Sequence, residues 1–178
     1  MIDLRAAQTR VIIPVRNGGA RWREAAEALK NAVSDVTQVA VVDSSSTDGS
    51  DIVPVESGFE LHRIAAESFN HGRTRQEAVD RFCAGCRTVI FQTQDAVIEG
   101  THSLRSLLKQ FEDESVGAAY GRQLPHPGAQ PFEAHAALFN YGLHSDSRSL
   151  ADKARLGIKA VFLSNSLAAY RIDALKAV

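Results

Sequence analysis

A bias of charge is the first thing this chain lacks. Its 20 lysines and arginines meet 21 aspartates and glutamates over 178 residues, so bulk electrostatics does not favour a polyanion as partner. The prediction is that it binds no nucleic acid. Long apolar runs are missing too, and the N-terminus lacks the basic-then-apolar layout of a signal peptide. A soluble, cytoplasmic domain is expected, one still able to rest peripherally on the inner face of the plasma membrane. Cysteine is scarce: Cys83 and Cys86 form a lone CxxC. That pair closes a predicted helix just before a strand, whereas a thioredoxin-like pair opens a helix. His62, His71 and His102 show no familiar zinc-ligand spacing, so the pair reads as structural or incidental.

Glycine-rich phosphate loops are also absent. No Rossmann or Walker pattern follows any apolar run, which argues against dinucleotide enzymes and P-loop NTPases. Any phosphate charge must then be met by a metal or by arginines. A nucleotidyltransferase would need a longer basic, glycine-rich loop than Arg16-Asn17-Gly18-Gly19.

What is present is a rhythm of strands and helices. Arg10 to Val15 reads as a strand with Pro14 near its end, where a missing donor is tolerated. From Ala20 to Val33, Trp22, Ala25, Ala26, Leu29 and Val33 recur at helical spacing. Val39 to Val42 is a second apolar strand. Leu61 to Ile64 is a weak strand, and a helix capped by Thr74 follows, with Ala78, Val79, Phe82 and Cys83 on one face. Val89 to Asp95, a helix carrying Leu104, Leu107, Leu108 and Phe111, and a strand at Val116 to Tyr120 complete the alternation. These predict a mostly parallel sheet covered on both faces.

Past Gly121 the rhythm changes. Leu124 to Gly128 reads as a loop, Phe132 to Tyr141 as a helix, and Leu143 to Ala154 as a mobile serine-rich stretch. Val161-Phe162-Leu163 is predicted to resume as a strand, with Leu167 to Arg171 continuing it or turning back. One domain over residues 1–178 is expected, with a fold that continues past Val178.

Two of the strands end on acids. Val39-Ala40-Val41-Val42 delivers Asp43 to the C-terminal edge of the sheet, and Val89 to Gln94 delivers Asp95 about fifty residues later. Asp43 suits a nucleobase imide or a ribose hydroxyl, and Ser44 to Thr47 add hydroxyls beside it. Asp48-Gly49 reads better as a turn cap than as a ligand. Asp95 suits Mg²⁺, which takes one or two carboxylates and completes its shell with water and phosphate oxygens. Thr93 and Gln94 offer weaker oxygen contacts. A capping role for Asp95 is disfavoured by the distance to the next helix. Arg73 and Arg75 open a helix, where an arginine either forks onto a phosphate or base carbonyl or simply faces water. His71 reads as a hydrogen-bonding loop residue, and Trp22 as core.

In order, VIIPVRN, VVDSSSTDGS and FQTQDA resemble the first strand, the nucleotide-binding turn and the DxD position of the family 2 glycosyltransferases of the GT-A fold. FNHGRTRQ, TQDA and YGRQLP look most like the rhamnosyltransferase branch that uses dTDP-L-rhamnose. The resemblance runs from Val11 to about Leu175. It implies a three-layer α/β/α fold and a nucleotide-binding set of Pro14, Arg16, Asn17, Asp43, Ser45, Arg75 and Gln94. It also implies a Mg²⁺ or Mn²⁺ ion on Asp95, a nucleotide-diphosphate sugar as donor, and a glycan or lipid-linked acceptor in polysaccharide synthesis. Thr93 replaces the first DxD acid, which leaves one carboxylate for the metal. Family members of this kind extend about another hundred residues, a domain-scale length, in which the catalytic base lies. No carboxylate here matches that base, so no catalytic residue is named. The alternative is a non-catalytic nucleotide-sugar-binding module.

Overall fold

Strict alternation of apolar side chains along three central strands decides which helix covers which face of the sheet. The computed structural model describes residues 1–125, 128–142 and 144–177. His126 and Pro127 of the expected loop, Leu143 of the serine-rich stretch and Val178 lie outside the described residues. The strands are β1 (Thr9–Val15), β2 (Val39–Asp43), β3 (Glu60–Arg63), β4 (Thr88–Gln92), β5 (Ala118–Tyr120) and β6 (Leu167–Arg171). They form one sheet in the order β3-β2-β1-β4-β6-β5. β3, β2, β1 and β4 run parallel, and β6 lies antiparallel between β4 and β5.

Val11, Ile13, Val39, Val41 and Ile90 point to one face, where they pack with Trp22, Ala25, Ala26 and Leu29 of α1 (Gly19–Ala32). Leu104 and Leu107 of α4 (Thr101–Lys109) join them, after the short α2 (Val53–Ser57). Ile12, Ala40, Val42, Val89 and Phe91 point to the other face, under Ala78, Val79 and Phe82 of α3 (His71–Phe82). Ile172 of α7 (Ile172–Lys176) closes that layer, after α5 (Pro131–Asn140) and α6 (Lys153–Leu156). The result is a sheet between two helical layers, as the alternation requires.

Two expectations are corrected. Helix α3 is capped by Asn70, not Thr74. Asn70 has extended backbone angles, and its Oδ1 accepts from the amides of Gly72 and Arg73 at 3.1 and 3.0 Å. Thr74 lies one turn inside, buried, and its Oγ1 accepts from the Asn70 amide at 3.1 Å. An Asn70→Ala variant is expected to lose about 1 kcal/mol in urea unfolding, the ordinary value of such a cap. The second correction concerns Val161-Phe162-Leu163, which is not a strand. Gly157, at φ +58°, starts a 3-10 turn through Ala160, and the Phe162 ring turns to meet Tyr120 and Tyr141. The strand is Leu167–Arg171, which turns back antiparallel to β4. The serine-rich stretch also carries structure, with Ser149 and Asp152 forming a capping box before α6.

Both thiols are free. Cys83 sits at the C-terminus of α3, and burial pushes its thiol up to about 12. It stays protonated at neutral pH, which makes it a poor nucleophile and a poor metal ligand.

Candidate functional site

Helix α1 carries the chain from β1 to β2 across one face, while α3 leads from β3 to β4 across the other. The crevice between the C-terminal ends of β1 and β4 is therefore the switch point of the sheet, the place where open α/β sheets hold ligands. The β1–β4 ladder stops at Ile12↔Phe91, so Pro14 falls beyond it and its missing N–H breaks no pair there. Arg16 and Asn17 follow at the mouth. Gln94 reaches over from β4's turn: its Oε1 accepts from the Arg16 amide at 2.7 Å, and its Nε2 donates to the Arg16 carbonyl at 3.2 Å. The side-chain amide acts as a further rung and fixes the two turns to one another.

Close packing at Gly18 protects that rung. A Cβ there would lie 2.6 Å from the Trp22 Cβ and 3.1 Å from the Gln94 Cδ. The Trp22 Cβ is held by the backbone of a buried helix and cannot swing aside. Gly18→Ala is expected to cost about 1–3 kcal/mol of stability, the usual range for overpacking, in a urea melt.

The turn after β2 is stitched to the turn after β1. Asn17, at φ +48°, accepts from the Thr47 amide through Oδ1 at 2.8 Å, and its own amide donates to Ser46 Oγ at 3.0 Å. Helix α1 has no cap of its own, since Gly18 has no side chain. Ser50 Oγ and Asp48 Oδ2 supply it from across the turn, accepting from the amides of Gly18 and Gly19 at 2.9 and 3.0 Å. Bonds from Ser50, then from the Gly19 amide, hold the Asp48 carboxyl below the usual range. Asp48 is thus engaged as a cap. The Trp22 indole Nε1 donates to the Ser50 carbonyl at 3.0 Å, which ties the turn to the core.

Asp43 is 1% exposed, and both its oxygens accept from Ser46: Oδ1 from the amide at 3.0 Å and Oδ2 from the hydroxyl. Each carboxylate oxygen keeps a second lone pair for a ligand. Ser45 stands in the left-handed region at φ +61°, with its hydroxyl donating to the Ile64 carbonyl at 2.9 Å. That contact joins the β2 turn to the end of β3.

Asp95 stands apart from these networks. It is exposed in the turn after β4, six residues before α4 begins, and has no hydrogen bond or ion pair among the described residues. It caps nothing. No group of three or more His, Cys, Asp or Glu arranged to hold a metal occurs among the described residues. An unpaired carboxylate at the switch point nevertheless fits an ion of the Mg²⁺ or Mn²⁺ kind, whose remaining ligands are water and phosphate oxygens. Gln92, fully buried behind it, donates through Nε2 to the Ala96 carbonyl at 2.8 Å and steadies the turn.

Arg75 lies one turn into α3, half-buried over the Phe91 ring, with Nη1 donating to the His71 carbonyl at 2.8 Å. Its Nε is buried without a partner, and burial lowers its pKa. Arg73, by contrast, is exposed; its Nη2 donates to the Ser68 carbonyl at 2.8 Å. Of the two, only Arg75 faces the sheet.

The structure brings one further segment to this edge. Because β6 runs antiparallel, its start lies beside the end of β4, and the Thr93 amide donates to the Ser166 carbonyl at 3.0 Å. Ser164, Asn165 and Ser166 therefore border the crevice. Strand-end reasoning passes over them because it looks for residues after a strand, and these precede one. The sequence signal was the alternative in which Leu167 to Arg171 turns back.

The sheet order, the reversed β6 and the acids on the β2 and β4 edges define a GT-A fold. Residues 10–178 match the model of glycosyl transferase family 2, and the chain belongs to that family. It is 40% identical to the O-antigen chain rhamnosyltransferase WbaN of Salmonella anatum over 169 residues, 94% of this chain and 53% of that protein. To the O-antigen chain rhamnosyltransferase RfbN of Salmonella typhimurium it is 40% identical over 164 residues, 90% of this chain and 51% of that one. The chain thus spans about half the length of these curated relatives. Among solved structures, the mannosyltransferase PcManGT from Pyrobaculum calidifontis, in complex with GDP-Man and Mn²⁺, superposes with a TM-score of 0.61 at 20% identity. That match covers 96% of this chain and 46% of the other. TarS 1-349 of S. aureus, in complex with UDP-GlcNAc, gives 0.63 at 18% identity over 95% and 46% of the two chains. At such identities the likeness concerns the fold alone.

Proposed function

We propose that this chain is the donor-binding domain of an inverting glycosyltransferase that moves L-rhamnose from dTDP-L-rhamnose to a glycan or lipid-linked acceptor in cell-surface polysaccharide synthesis. The observation that carries the reading is Asp95, a carboxylate without a partner among the described residues, at the switch point of a family 2 sheet. Identity to two O-antigen rhamnosyltransferases supports the choice of sugar. The nucleotide set is Pro14, Arg16, Asn17, Asp43, Ser45 and Arg75, with Gln94 holding the Arg16 turn in place.

Asp43, oriented by Ser46, accepts from the imide N–H of thymine or from a ribose hydroxyl. Arg75 supplies a cation toward the donor from the α3 side. A divalent cation on Asp95 would offset the negative charge that develops on the departing nucleoside diphosphate. Inversion requires in-line attack by an acceptor hydroxyl on the anomeric carbon, with the hydroxyl proton taken by a general base. No residue of this chain is assigned that base. No helix among the described residues is long and apolar enough to cross a membrane. A lipid-linked acceptor would bring the chain into peripheral contact with the inner face of the plasma membrane.

A thermal-shift screen of dTDP, UDP and GDP, each with and without Mn²⁺, tests the reading. The largest stabilisation is expected from dTDP with Mn²⁺, and it should vanish in Asp43→Ala. No shift from any of the three would overturn it.

A further inference from the structure

Tyr170 and Asn165 of the β6 segment belong to none of the roles described so far, yet Tyr170 shares the Phe91 ring with Arg75. The Arg75 guanidinium lies 5.7 Å from the Phe91 ring centre, and Phe91 meets the Tyr170 ring edge-on at 5.7 Å. Both ring contacts put Arg75 and Tyr170 on the Phe91 face of the sheet. The Tyr170 hydroxyl donates to Asn165 Oδ1 at 2.7 Å. This bond engages Asn165 Oδ1. With Oδ1 taken, the Asn165 NH₂ group turns away from Tyr170, and it has no partner among the described residues. Arg75 Nε is likewise a buried donor without an acceptor. A free amide NH₂ group at the border of the crevice suits an acceptor oxygen from a ligand.

We infer that Tyr170 is a positioning residue and Asn165 a specificity residue of the donor site. Tyr170 holds Asn165 Oδ1, which leaves the Asn165 NH₂ group, on the same face of the sheet as Arg75, to donate to an acceptor oxygen of the nucleoside diphosphate. That oxygen belongs either to a base carbonyl or to the diphosphate. The inference rests on the nucleotide-sugar reading of the site and assigns it a discriminating pair.

Calorimetry of dTDP and dCDP with Mn²⁺ tests it on the wild type, Tyr170→Phe and Asn165→Asp. Tyr170→Phe keeps the ring and removes only the hydroxyl. It is expected to weaken dTDP about 3–10-fold, the range for one lost hydrogen bond, with the melting temperature nearly unchanged. Asn165→Asp replaces donors with acceptors. If the oxygen is the base carbonyl, the preference for dTDP over dCDP narrows by about 10-fold, because the cytosine amine now finds a carboxylate. If it is a diphosphate oxygen, both ligands weaken by a similar factor through like-charge repulsion. A merely structural role for Asn165 would move neither affinity once the protein is folded. Wild-type affinities in both variants would overturn the inference while leaving the nucleotide reading intact. A wild type that binds neither ligand would overturn both.

Discussion

Replacing Asp95 by asparagine is expected to weaken Mn²⁺-dependent dTDP binding on the order of 100-fold, the scale set by losing one well-placed charged contact. Stability should hardly change. Asp95 is exposed and unpaired among the described residues, and surface substitutions away from packed or bonded features usually stay within about 0.5 kcal/mol. Function and folding are thus separable at this residue. In the proposed site Thr93 offers a hydroxyl, not a second carboxylate, so it does not replace the lost charge. Calorimetry with and without Mn²⁺, beside a urea melt, checks both halves. An Asp95→Asn protein that binds dTDP as tightly as the wild type in Mn²⁺ would remove Asp95 from the site.

The largest loss of stability is expected at Trp22. Its side chain is fully buried among Val11, Ile13, Ala26 and Leu29, and its indole holds the Ser50 carbonyl. Trp22→Ala should cost about 3–5 kcal/mol, since it removes a large apolar body and leaves a cavity. The damage would also reach the site. Ser50 caps α1 through the Gly18 amide, so loosening the Ser50 turn releases the segment that carries Arg16 and Asn17. Trp22→Phe separates the two effects: it retains most of the packing and leaves the Ser50 carbonyl without the indole donor. A loss of about 1–3 kcal/mol is expected from that variant. Urea unfolding gives the stability of each, and dTDP titration of the folded protein reports the turn.

The strands β1, β2 and β4 were legible because each is a short apolar run rich in β-branched residues and bounded by turn residues. Val39 to Asp43 and Val89 to Gln92 allow no helical reading of useful length, and the acids that end them follow from the same runs. Helix α1 was legible from the spacing of Trp22, Ala25, Ala26 and Leu29. Other features depend on contacts that spacing does not carry. Asn70 and Thr74 are both good caps, and the choice between them rests on backbone angles at Asn70. Val161-Phe162-Leu163 has strand composition, but the turn opened by Gly157 and the ring contacts of Phe162 override it. Gln94 lies beside the acid in sequence, while its amide spans to the Arg16 backbone, a link of 78 residues that only the assembled sheet creates. Asn165 was hidden for a topological reason. An antiparallel strand presents its beginning, not its end, at the ligand edge.

The donor site is tested most directly by one titration, that of dTDP into this chain by calorimetry with and without Mn²⁺. Saturable binding of one dTDP per chain is expected, strengthened by Mn²⁺ and lost in Asp43→Ala. Absence of binding in both conditions would contradict a donor-binding role for this chain.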